Sequence, residues 1–236
     1  MKKEFSSQGI KYAYNELGQC YLVVGVEEGM GETLCIPTEY NGESVTQVGD
    51  FAFQNCKKIT GITLSENTVF IGEAAFNFCE NLREIHIPDG VVCIAKHTFY
   101  GCKNLTGVKM GEAVRHIEDG AFGMCAALSD FLFPSALLRI GVRAFDGCVR
   151  LEKAQMPPLV KMIEDGAFYG CENLTSVTFN DGITSIGKFA FGDCVRLQTL
   201  TYEGTVSKWR AVQKGFGWNR GIKAEKIICS DGEIKL

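Results

Sequence analysis

A hydrophobic pattern with a period of 23 residues runs through most of the chain. Each unit begins with a phenylalanine, which is followed by a cysteine after three positions and by leucine or isoleucine after six. Seven units follow one another without an insertion or deletion, and their phenylalanines are Phe53, Phe76, Phe99, Phe122, Phe145, Phe168 and Phe191. A fixed period of this length predicts a solenoid, in which each turn buries its apolar side chains against the neighbouring turns.

Within one unit, the pattern of apolar and polar residues predicts two short extended segments and a corner. Apolar Ile85 and Ile87 alternate with Glu84 and His86, which indicates a strand with one buried face, and a proline then ends it. A second extended segment covers residues 91–94, and residues 75–79 turn the corner as a short helical or irregular piece. We therefore expect an α/β-type repeat solenoid with short parallel strands.

The two ends of the chain depart from the repeat and are predicted to cap it. Residues 1–44 form an N-terminal cap with a hairpin over residues 12–26 and a degenerate unit that ends at Pro37. Residues 45–204 hold the seven repeats. Residues 205–236 form a C-terminal cap with a short helix over residues 205–214 and a hairpin over residues 227–234. Such caps cover the bare apolar cross-section of a solenoid.

The repeat resembles the BspA-like family of bacterial leucine-rich repeats over residues 45–204. The stretch that carries the resemblance is IGEAAFNFCENLREIHIP at residues 71–88, which recurs six more times with variation. The resemblance implies a curved, right-handed leucine-rich-repeat superhelix that is displayed on a bacterial surface and grips other macromolecules. The family has no shared catalytic residues, so none is carried over to this chain.

Composition and charge limit the partners of the 236-residue chain. Its 24 basic and 28 acidic residues give a net charge of −4, which argues against nucleic acid as a partner. The apolar runs are too short for a membrane span. No signal peptide is visible at the start of this sequence, so a cytoplasmic location stands beside the secreted or cell-surface location that the family implies.

The eleven cysteines do not have the spacing of a metal or redox site. Seven occupy one position of the repeat, and no Cys-x-x-Cys pair occurs. We interpret the seven as small buried hydrophobic residues with free thiols. The three histidines occupy three different positions of the unit, so neither a metal site nor a catalytic triad is indicated. The sequence therefore predicts no enzyme activity, no catalytic residue, no metal and no cofactor.

The outward positions of the first strand of each unit, here called the strand face, are the candidate binding surface. We expect a protein partner, or in second place a glycan, with no single oligomeric state favoured. The candidate binding residues are Thr63, Glu84, His86, Lys109, Asp130, Leu132, Lys153 and Gln155. Ordinary solvated strand surface explains the same residue types nearly as well.

Three other features leave alternatives open. The sequence from Tyr202 onwards has seven basic and four acidic residues, so this end could contact an acidic partner or be a solvated cap. Trp209 and Trp218 could stack on a sugar or fill the core of the cap. One alternative function is an enzyme or enzyme-associated module that acts on polysaccharide, with Glu84, Asp130 or the two tryptophans involved. The other is a purely structural component of an envelope assembly.

Overall fold

The 23-residue period coils the chain into a β-solenoid of about nine turns with almost no helix. The computed structural model describes residues 4–236, and the side chains of residues 5–236. The predicted solenoid is confirmed, since each turn adds short parallel strands to those of the turn before it. A single hydrophobic core extends from Ile10 near one end to Cys229 near the other.

The N-terminal strands are β1 (Glu4–Ser7), β2 (Ile10–Asn15), β3 (Cys20–Val26), β4 (Thr33–Cys35), β5 (Glu39–Tyr40) and β6 (Glu43–Val48). All of them except β4 form one sheet that leads into the repeats, and β4 pairs with the first repeat strand, β7 (Gly61–Thr63). Strands β2 and β3 pair antiparallel, and β3 then pairs parallel with β6. The segment from Pro37 to Val45 is five residues longer than the equivalent segment from Pro88 to Val91, and it contains a small antiparallel hairpin of β5 and β6. Aromatic rings close this end, with Tyr12 and Tyr40 stacked at 4.3 Å between centroids.

The repeats contribute two rows of strands. In chain order they are β7 (Gly61–Thr63), β8 (Phe70–Ile71), β9 (Glu84–His86), β10 (Cys93–Ile94), β11 (Gly107–Lys109), β12 (His116–Ile117), β13 (Arg139–Ile140), β14 (Lys153–Gln155), β15 (Met162–Ile163), β16 (Ser176–Phe179), β17 (Ser185–Ile186) and β18 (Thr199–Tyr202). The order β4-β7-β9-β11 and, further along, the order β14-β16-β18 make the strand face. The order β10-β12-β13-β15-β17 makes a second sheet.

The corners of the repeats are turns and contain no helix, so of the two forms that the sequence left open, short helical or irregular, they take the irregular one. Two residues of a corner adopt left-handed backbone angles, as Ala74 with φ 51° and Phe78 with φ 56° show. An α-helix cannot pass through such residues, because its backbone is right-handed throughout. Hydrogen bonds between turns replace the helical ones, for example from the amide of Phe76 to the carbonyl of Thr98 at 2.8 Å.

The C-terminal end consists of α1 (Val206–Ala211), β19 (Gln213–Lys214), β20 (Lys226–Cys229) and β21 (Gly232–Lys235). The hydroxyl of Thr205 caps α1 by accepting from the amide of Lys208 at 3.3 Å. Strand β20 pairs parallel with β18 and antiparallel with β21. Among the described residues, no helix has the length and apolar character to cross a membrane.

Candidate functional site

A groove of about 820 Å³ runs across the N-terminal part of the strand face. Strands β4, β7, β9 and β11 form its floor, and the segment 130–132 borders it on the C-terminal side. The alternation predicted from sequence places Ile62 and Ile85 in the core below, while their neighbours on each strand point outward. The groove is therefore built from outward side chains of successive turns, held in register by the parallel pairing.

The groove collects six of the eight residues that the sequence singled out, and all eight are exposed. The six are Thr63, Glu84, His86, Lys109, Asp130 and Leu132. The other two, Lys153 and Gln155, lie on β14. Gln155 shares a smaller cleft of about 220 Å³ with Leu132. Binding by any of these residues remains a prediction.

Two glycines in the floor make room in the groove. Gly61 and Gly107 occupy the same outward position that Glu84 occupies on the strand between them. A Cβ atom on Gly61 or Gly107 would lie 3.7 or 3.6 Å from its nearest neighbour, which is ordinary contact. Packing therefore does not require glycine here, and glycine weakens a strand relative to residues with a side chain. Their effect on the surface is to leave open space on both sides of Glu84.

The charged groups of the groove have no ion-pair partners within the described chain. None of the salt bridges between described residues includes Glu84, Lys109 or Asp130. The second sheet differs, because Arg139 there contacts Glu118, Asp119 and Glu164. A ligand could thus pair with the charges of the groove without breaking an internal contact.

The strand face is interrupted at the segment 129–133, where the sequence predicted a continuous row. Asp130 and Leu132 do not belong to a strand, so their expected placement on one is wrong. Phe131 and Phe133 occupy positions that hold Ile85 and Ile87 in an earlier turn. The ring of Phe131 packs edge-on against the rings of Phe122 and Phe145 at 5.1 and 4.9 Å. Leu132, between these two rings, is 79% exposed.

Strand β8 and the second sheet present another outward row of side chains. Phe70 and Met162 are 47% and 49% exposed, and Cys93 is half-buried. These residues are spread over separate strands, and the charged cluster around Arg139 lies between them. The row therefore offers isolated apolar groups rather than one apolar patch.

Eight of the eleven cysteines and both tryptophans are buried. All eleven cysteines are free, and six of the seven repeat cysteines are among the buried ones. Cys56, in the first repeat, is the exception and is half-buried. Within residues 4–236, no group of three or more potential ligands could hold a metal ion. Trp209 and Trp218 are 2% and 7% exposed, so they fill the C-terminal core and neither ring is free to stack on a sugar.

Fold and groove together define a class of protein: a leucine-rich-repeat solenoid that presents a preformed strand surface. A family model described as BspA type leucine rich repeat region, in six copies, matches residues 38–152 and 138–211. The chain belongs to this family. Leucine-rich repeat proteins of this kind are generally scaffolds for interactions rather than enzymes.

Solved structures of bacterial leucine-rich repeat proteins share the fold. A leucine-rich repeat protein of T. pallidum is 27% identical, with a TM-score of 0.75, over 89% of this chain and 94% of that one. One from Bacteroides ovatus is 23% identical, with a TM-score of 0.66, over 96% of this chain and 71% of that one. A search of curated proteins found no match.

Proposed function

We propose that the protein is a non-enzymatic scaffold that binds a protein partner through the groove on the strand face. The observation that carries this proposal is the open space beside Glu84, which two glycines provide although packing does not require them. Glycine in a strand is typical of places where another backbone approaches closely. Because the solenoid holds the groove in place before binding, little ordering entropy opposes association.

The chemistry of the groove favours a polypeptide over a glycan. Its lining combines carboxylates, a lysine, a histidine and aliphatic side chains, and it contains no phenylalanine, tyrosine or tryptophan. Sugar rings stack on aromatic side chains, and the groove offers none for that contact. A polypeptide can instead pair its own charges with Glu84 and Lys109 and place an apolar side chain against Leu132.

The first test is capture of a partner by the intact chain and by a variant that lacks the charged groups of the groove. The test variant is Glu84→Ala, His86→Ala, Lys109→Ala, and we expect it to lose at least about tenfold in affinity for the recovered partner. The control variant is Glu172→Ala, His116→Ala, Lys161→Ala, which removes the same side-chain types outside the groove. Equal affinity of the test variant and the intact chain would contradict the proposal.

A further inference from the structure

We propose that a cleft of about 390 Å³ at the corners of the C-terminal repeats binds a sugar ring that carries a carboxylate or a phosphate. Its lining includes three basic residues, Arg143, Lys188 and Arg220, and two aromatic residues, Tyr169 and Phe189. None of the residues that line it lines the groove on the strand face. The proposal is therefore independent of the proposed protein-binding function.

The cleft lies at a corner where a glycine stands between two larger residues of the neighbouring turns. One position of the corner recurs every 23 residues and is occupied by Arg143, Gly166 and Phe189 in three successive turns. The backbone of Gly166 is held by a hydrogen bond of 2.8 Å from its amide to the carbonyl of Lys188. The stem of Arg143 lies over Gly166, where an added Cβ would meet its Cγ at 3.2 Å. Arg143, Gly166 and Phe189 thus line the cleft together.

The aromatic wall of the cleft is fixed in position. The hydroxyl of Tyr169 donates a hydrogen bond to the carboxylate of Asp193, and the edge of its ring covers Gly192. The ring of Phe189 packs edge-on against Phe216 at 5.5 Å between centroids and covers Gly217. Tyr169 is nevertheless 38% exposed, so part of its ring remains open to a ligand. Flat apolar surface of this kind suits the C–H face of a sugar ring.

The charges of the cleft favour an anion. Its lining holds three cationic side chains and one carboxylate, Asp165, whose Oδ1 already accepts the backbone amide of Lys188 at 2.7 Å. Arg143 has a distant ion pair of 3.8 Å with Asp146, whereas Lys188 and Arg220 have no ion pair within the described residues. Within the lining the three cations outnumber the single carboxylate, and the carboxylates of Asp146 and Asp193 lie beside the lining on Arg143 and Tyr169.

The aromatic and the cationic side chains of the cleft together restrict the class of ligand. An inorganic anion would leave the aromatic wall unused, and a neutral sugar would leave the cations unpaired. The volume of the cleft lies at the lower end of the range for small-molecule sites, which suits one or two sugar rings. A sugar with a carboxylate or phosphate group can contact the aromatic side chains with its ring and the cationic side chains with its charged group.

The test is a titration followed by the amide resonances of Gly166, Tyr169 and Lys188. The probes are glucuronic acid and glucose 6-phosphate, with glucose, inorganic phosphate and a tetraglutamate peptide as comparisons. We expect the two anionic sugars to shift these resonances with a Kd on the order of 1 mM, and glucose and phosphate to bind at least about tenfold more weakly.

The variant Lys188→Gln, Arg220→Gln should weaken binding of both anionic sugars at least about tenfold, since two charge-assisted hydrogen bonds are lost. The matched control Lys161→Gln, Arg115→Gln removes the same charges from exposed sites outside the cleft and should bind as the intact chain does. Unchanged thermal unfolding of both variants establishes that they are folded. Absence of binding, equal binding of phosphate alone, tighter binding of tetraglutamate, or full binding by the test variant would each overturn the proposal.

Discussion

At the scale of single residues, the repeat cysteines do more than fill space. The thiol of Cys79 donates to the carbonyl of Phe53, 26 residues earlier, and the same contact recurs at each later turn. The spacing predicted their burial, because they are in register with apolar positions. It could not predict the acceptor, since which carbonyl lies beneath a thiol depends on the pitch and stagger of the turns.

Burial should make most of the thiols unreactive in the native protein. It raises the pKa of Cys102 to about 12, and the thiolate is the form that reacts. Titration with a thiol reagent near pH 8 should modify exposed Cys35 first, and then half-buried Cys56 and Cys93, whose pKa values burial also raises. All eleven thiols should react after unfolding. Rapid modification of more than three thiols in the native state would contradict the buried row.

A central phenylalanine should make a large contribution to stability. Phe122 is fully buried and its ring stacks with those of Phe99 and Phe145 at 5.3 and 5.4 Å. Phe122→Ala should lower the free energy of unfolding by about 3–5 kcal/mol, because it leaves a cavity between two turns. The control Phe51→Ala removes a ring that is 52% exposed and should cost less than about 1 kcal/mol. Urea denaturation measures both, and similar losses would contradict the packing.

At the scale of elements, the sequence predicted what depends on local pattern and missed what depends on the packing of neighbouring turns. Alternation in residues 84–87 predicted β9, and the Asp-Gly pair predicted the turn between β20 and β21. The left-handed corner residues Ala74 and Phe78 carry no such signal, because neither is a residue type that favours that conformation. The interruption at 129–133 was hidden as well, since Phe131 satisfies the apolar pattern of the repeat.

Hydrogen exchange tests the interruption of the strand face. The amides of Leu132 and Phe133 have no hydrogen-bond acceptor among the described residues, whereas the amides of Phe122 and Phe145 each donate to the next turn at 2.8 Å. We expect the first pair to exchange at least about a hundredfold faster than the second pair. Equal protection of the two pairs would show that the strand continues through this segment in solution.

At the scale of the whole molecule, each turn depends on its neighbours and the ends need covering. We propose that residues 1–44 and 205–236 act as the caps that the sequence predicted. In support, Trp209 lies at the C-terminal end against the rings of Phe179, Tyr202 and Trp218. Lys214 closes α1 by donating to the carbonyls of Trp209 and Val212 at 2.8 and 2.7 Å. On this proposal, the turns that form the groove have packed turns or a cap on both sides of them.

The position of the candidate site could be predicted from the sequence, but the presence of an open groove there could not. The outward positions on β7, β9 and β11 follow from the alternation of each strand, so Thr63, Glu84, His86 and Lys109 could be named from the sequence. That Gly61 and Gly107 open a groove became visible only once the atoms around them were known. A glycine in a strand can equally serve close packing, and the sequence does not distinguish the two.

The central claim is that the groove on the strand face binds a protein partner. The most direct test is to fill the groove while leaving all of its charged side chains in place. Gly107→Val adds a side chain at an open point of the floor, where valine suits a strand. Ser176→Val places the same side chain at the equivalent position of β16, outside the groove. We predict that Gly107→Val is at least as stable as the intact chain and binds the captured partner at least about tenfold more weakly, while Ser176→Val binds normally. Full affinity of a folded Gly107→Val variant would contradict the account.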